Sequence, residues 1–120
     1  MIPLLAPRSL TRLRYGAAVV ASGVATRPTP AETELIAAVQ PAPRAVIDRL
    51  PDGAASRSPI TVATYGELRG YGLDQYADRI RVPAGLDVEA GDYEVHEVER
   101  SPAFLGQADH RVAVALRVLS

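Results

Sequence analysis

The chain has no cysteine, no tryptophan and no lysine, and aromatic side chains make up only 5% of its 120 residues. Without cysteine there is neither a disulfide framework nor a thiolate metal site, and the two histidines leave only nitrogen and carboxylate ligands for any metal. That absence fits a cytosolic origin. So few aromatics argue against stacking of single-stranded nucleic acid. An excess of one charge is also missing: 13 basic against 14 acidic side chains give a net charge of −1, which provides no global footprint for gripping nucleic acid. Long apolar runs are lacking too. Met1-Ile2-Pro3-Leu4-Leu5-Ala6-Pro7 is apolar but too short and too proline-broken for a signal peptide or a membrane span, so no membrane partner is expected. All 13 basic residues are arginine, beside 20 alanines, which points to a GC-rich genome and weakens any inference that arginine was selected at a given position.

What is present suits one compact domain. Hydrophobic residues form 48% of the chain and charged residues 22%, so it has neither the low hydrophobicity nor the high net charge of a disordered chain. At this length two ordinary cores do not fit.

Period-two alternation of apolar and polar residues, the mark of a strand with one buried face, recurs along the chain. In the last run Val112, Val114, Leu116 and Val118 alternate with Arg111, Ala113, Ala115 and Arg117; in 58–65 the set is Ile60, Val62 and Thr64. Leu35, Ala37 and Val39 form one face of 33–40, and Leu13, Tyr15, Ala17 and Val19 one face of 11–20. A short strand over 78–82 carries Ile80 and Val82. In 92–100 Tyr93 and Val95 are in phase while Val98 is not, which predicts a bulge near His96-Glu97. Six strands follow from these patterns.

Between the second and third, Pro43 suits the first turn of a helix, Val46, Ile47 and Leu50 share a helical face, and Pro51 ends it before a Pro-Asp-Gly turn. Glycine- and proline-rich connections cover 27–31, 66–77, 83–91 and 101–109. The expected fold is mainly β: a small six-stranded barrel or sandwich with one short helix in the insertion between the second and third strands. Closure of the sheet would remove its edges.

Chemistry-bearing residues are thin. His96, between Val95 and Glu97, suits a surface or barrel-rim position, and His110 after Asp109 opens the last strand. Ser101 before Pro102 lacks the context that exposes an activated hydroxyl. Glu94, Glu97 and Glu99 with His96 could offer metal ligands, but alternation sends them to both faces of a strand. The glycines of Gly66-Glu67-Leu68-Arg69-Gly70-Tyr71-Gly72 fit neither a P-loop nor a dinucleotide fingerprint. No catalytic, metal or cofactor-binding residues are assigned, no cofactor is expected, and the chain is read as a non-enzyme. Leu68, Tyr71, Leu73 and Tyr76 give the loop 66–77 the content of a partner-contact loop, or else of a cap on one barrel end.

The order of small signatures carries a resemblance. A strand ending Val39-Gln40-Pro41, a segment closing Leu50-Pro51-Asp52-Gly53, the strand Ile60-Thr61-Val62-Ala63-Thr64-Tyr65, then Ala77-Asp78-Arg79-Ile80, Gly91-Asp92-Tyr93-Glu94-Val95 and a final valine-rich strand resemble the head-closure, or stopper, proteins of tailed bacteriophages. The similarity runs from about Thr11 to Ser120. It implies a small barrel, 11–120, assembling into a sixfold or twelvefold ring in the virion neck, between the portal-adaptor ring and the tail terminator or tail tube proteins. Genomic DNA would pass through the ring without sequence-specific binding, and the chain would be assembled in the host cytoplasm. The resemblance further implies that the insertion 42–57 faces the channel with Arg44, Ile47, Asp48, Arg49, Asp52 and Arg57, whose mixed charges suit a gate that neither grips nor repels DNA; the other reading is structural, with the Val46, Ile47 and Leu50 face covering one mouth of the barrel. Residues 1–10 are expected to form an N-terminal arm laid on a neighbour. Two other readings remain open: a tail-completion or terminator protein, with more helix and no such insertion, and a small bacterial β-barrel module that binds proteins through 66–77.

Overall fold

The computed structural model describes residues 7–17, 19–51, 53–70, 75–101 and 110–118. Its strands are β1 (Arg8–Arg14), β2 (Val19–Ala21), β3 (Val24–Thr26), β4 (Ala31–Pro41), β5 (Ile60–Thr64), β6 (Arg79–Val82), β7 (Gly91–Ser101) and β8 (His110–Arg117). Six of them close a barrel in the order β1-β4-β5-β8-β7-β6, and every neighbouring pair is antiparallel. The fold is the expected one, with a helix α1 (Arg44–Ile47) and a 3-10 turn (Ala55–Arg57) in the connection from β4 to β5. Helix α1 is capped at its start by Pro43 in extended conformation.

The interior is filled by alternate residues, as the patterns require. Leu35 and Ala37 of β4, Ile60 and Val62 of β5, Ile80 and Val82 of β6, and Tyr93 and Val95 of β7 belong to one buried cluster, with Val39 packed against it. In β7 the register shifts between Val95 and Glu97, so His96 is the extra residue. Val95 faces Ala115 and Val98 faces Ala113, so the bulge turns both valines inward although they lie three apart. The sequence phase slip had this cause.

Two strands distribute their faces differently from the expectation. In β8 the barrel interior takes Ala113 and Ala115, while Val114 and Leu116 lie on the outer face and are buried there as well. A narrow barrel leaves little room per inward side chain, so the small residues go in. In β1 it is Leu10, opposite Leu35, that joins the core. Leu13 pairs with Glu32 and Arg79 and is buried on the outside, as is Tyr15 beyond the strand end. β1 also begins at Arg8, so the described end of the expected 1–10 arm is barrel strand; residues 1–6 lie outside the described residues.

The expected first strand, 11–20, stops at Arg14. Val19 and Val20 enter a separate two-stranded hairpin, β2–β3, whose turn residues Ser22 and Gly23 have φ of 52° and 78°. Positive φ at both central residues matches the primed turns that suit the twist of paired strands. The Ser-Gly dipeptide was the available signal.

Candidate functional site

The ring order makes one connection special. β5 and β6 lie opposite each other, so their connection, described at 65–70 and 75–78, runs from one side of the barrel mouth to the other. A crossing backbone carries polar groups that need partners away from water. They are supplied mainly by the inward side of the rim. Arg12, which shares its face with the core residue Ile80, donates from Nη1 to the Glu67 carbonyl at 3.0 Å; its Nε is buried without a hydrogen-bond partner. Arg111 Nη1 reaches the Gly66 carbonyl at 3.5 Å.

Asp78 is the centre of this plug. Its carboxylate is fully buried and accepts from Arg14 Nε at 3.0 Å, Arg14 Nη2 at 2.8 Å and the Arg69 backbone N–H at 2.9 Å. Its own N–H donates to the Arg69 carbonyl and its carbonyl accepts from Val95 N–H, at 2.9 and 3.0 Å. The bidentate pair holds the Arg14 guanidinium above its ordinary pKa through the hydrogen bond to Asp78, against the opposing effect of burial. Leu68, four residues past the end of β5, enters the core cluster.

A second cluster lies outside the wall, at the root of the β2–β3 hairpin. Arg27, one residue past β3, sits over the rings of Tyr15 and Tyr76 at 4.6 and 4.5 Å from their centroids. Those rings meet edge to face at 6.2 Å. Arg27 and Arg79 both pair with Glu94, at 3.3 and 3.0 Å. Tyr15 precedes the hairpin and Arg27 follows it, so both of its feet are fastened to β6 and β7.

The insertion 42–57 is tied to the barrel. Ala42 N–H donates to the Pro59 carbonyl at 3.0 Å, closing its neck. Arg57 donates from Nε and Nη2 to the Arg117 carbonyl at 3.3 and 3.1 Å, and Arg49 pairs with Glu97 on the wall at 3.5 Å. Arg44 and Asp48, both exposed, pair with each other across one helical turn. Ile47 is half-buried, and Asp52 lies outside the described residues. Of the expected channel-facing charges that are described, each therefore has a partner within the chain.

In the loop 66–77, Leu68 is not exposed as a partner contact would be, because the crossing segment needs an apolar plug. Tyr76 is half-buried in the arginine–tyrosine stack, and Tyr71 and Leu73 lie outside the described residues. His96 is exposed at the bulge; His110 is buried with its ring edge-on to Tyr65 at 6.4 Å. Among the described residues no group of three His, Cys, Asp or Glu side chains could hold a metal, and no helix is long and apolar enough to cross a membrane. Sequence reasoning missed the Asp78 plug and the Arg27 stack, since neither shows in local spacing; both join residues more than ten positions apart. Compared with family models, with curated proteins and with solved structures, the chain gives no match.

Proposed function

We propose that the chain is a non-catalytic structural component of a bacteriophage neck, of the head-closure type, forming a ring through which packaged DNA passes. The observation that carries this reading is a small closed barrel in which an insertion whose described charges are each held by a partner in the chain follows Val39-Gln40-Pro41. Helix among the described residues is confined to Arg44–Ile47 and Ala55–Arg57, which favours head closure over the more helical tail-completion alternative. A protein-binding module working through 66–77 is less favoured, because Leu68 is spent on the core. As a ring component the chain would meet a portal-adaptor ring on one side and tail terminator or tube proteins on the other.

Negative-stain microscopy of the purified chain, and of virions carrying it, tests the reading. Rings with a central pore, and virions that leak DNA when 42–57 is shortened, are the expected results. Full DNA retention in such virions removes the insertion from gating, and a particle lacking this chain from its neck ends the head-closure reading.

A further inference from the structure

The four exposed large hydrophobic side chains among the described residues fall into two groups. Val20 and Val24, 70% and 60% exposed, lie on the β2–β3 hairpin; Ile36 and Tyr65, 48% and 50% exposed, lie on the outer wall of β4 and just past β5. Neither group is scattered; the hairpin group is free of charge, and on the wall the nearest charge is Glu34, which accepts from the Ser9 hydroxyl beside Ile36. Residues 16–26 contain no charged side chain at all. On the wall, the outward pair Ala38 and Ala63 lies two residues along the chain from Ile36 and Tyr65 and extends them into a short apolar strip.

The hairpin is apolar on both faces. Val20 is opposite Ala25, whereas Val24 is opposite Ala21, so the two valines point to opposite sides of the ribbon. It forms a two-stranded sheet of its own, apart from the barrel, and carries neither charge nor proline along its length. An isolated two-stranded ribbon is marginal in water unless something covers it. Its own barrel is badly placed to do so. The Tyr15–Arg27–Tyr76 stack and the Arg27–Glu94 pair fasten the hairpin's feet to the β6–β7 side, and in the order β1-β4-β5-β8-β7-β6 that side lies opposite β4–β5.

We infer that the β2–β3 hairpin of one copy docks on the β4–β5 wall of a second copy, covering Ile36 and Tyr65. Two apolar, unlike patches on opposite sides of one barrel are the requirement for head-to-tail association. The clamped root lowers the ordering cost, because the arm is already held at both feet before it meets a neighbour. The inference deepens the ring reading and rests on it only for closure of the contacts into a ring.

The absence of cysteine makes the test clean. Full-length V24C and I36C variants, one carrying a size tag, are mixed and oxidised, then separated under non-reducing conditions. A V24C–I36C cross-link in excess over either self-cross-linked species is expected. In native mass spectrometry the wild type forms oligomers, and both V20E/V24E and I36E weaken association at least about a hundredfold. At concentrations low enough that the wild type is also monomeric, their thermal melting by circular dichroism should match it, since these side chains are exposed in the single chain. A wild type that stays monomeric at its highest soluble concentration, predominant V24C–V24C cross-links, or oligomers indifferent to the glutamates each overturn the docking. Oligomers that break with V20E/V24E but form filaments or dimers without a pore leave the docking standing and overturn the head-closure reading. Pored rings insensitive to V20E/V24E and I36E do the reverse.

Discussion

The barrel is closed at its two mouths by different chemistry. At the mouth crossed by 65–78 the closure is a buried bidentate ion pair, Arg14 with Asp78, beside Leu68. At the other, Leu86 and Val88 of the β6–β7 connection pack on the core, and Tyr93 reaches from inside to donate from its hydroxyl to the Glu89 carbonyl at 2.7 Å. Polar groups there are handled at the rim, where Arg117 donates to the Ala90 carbonyl and pairs with Glu89. The difference follows from topology. A connection between neighbours such as β6 and β7 can turn at the edge and send only side chains inward. One between opposite strands carries its backbone over the opening, and a buried charge becomes useful because a single carboxylate satisfies several donors at once.

Substitutions at each mouth can break this contrast. The largest effect is expected for Asp78→Ala, a loss of about 4 kcal/mol, since it strands the Arg14 guanidinium and the Arg69 N–H together. Urea unfolding gives the number. In the double variant R14M/D78L less than half of that loss should return, because the Arg69 N–H still lacks an acceptor; full recovery would mean that charge is dispensable at the crossing. Leu68→Ala should cost about 2.5 kcal/mol by emptying the plug. A loss under about 0.5 kcal/mol would make the segment a surface loop.

At the opposite mouth Gly91→Ala should cost about 1.5 kcal/mol, read from the same unfolding curves. Gly91 has φ of 145°, and a Cβ there would meet Arg117 Nε at 3.3 Å. Tyr93→Phe is expected to cost about 1 kcal/mol at neutral pH through the hydroxyl hydrogen bond. Burial pushes the Tyr93 phenol above its usual pKa of 10.0; Glu89 adds to the shift and Arg117 opposes it. The folded chain therefore holds this proton to higher pH than the unfolded chain. The associated stability is complete below pH 10.0 and is lost as pH rises from there through the folded value. Above that window the wild type should lose its advantage over Tyr93→Phe; a constant gap between the two melting curves from pH 8 to 11 would rule out a titrating role.

Strands with one buried face were legible because a period of two survives whatever covers the sheet. Even the bulge at His96 was readable, as a slip of phase between Val95 and Val98. What alternation could not give was the identity of the inner face where both faces are buried. In β8 the outer Val114 and Leu116 are as hidden as the inner Ala113 and Ala115. The hairpin was merged into the first strand because valines on both sides of a ribbon carry the same signal as a longer run. Asp78 was invisible for another reason. Its value lies in Arg14, brought to it across 64 residues by closure of the barrel, and in a loop that folds the Arg69 N–H back onto it from nine residues away.

The clamp at the hairpin root also bears on how the chain can be altered. Because Tyr15 and Arg27 hold the two feet together through Tyr76 and Glu94, the chain entropy of closing whatever lies between them changes only slowly with its length. Residues 16–26 are thus an interchangeable cassette: a foreign peptide spliced there would be displayed on a fixed base while the barrel beneath folds as before.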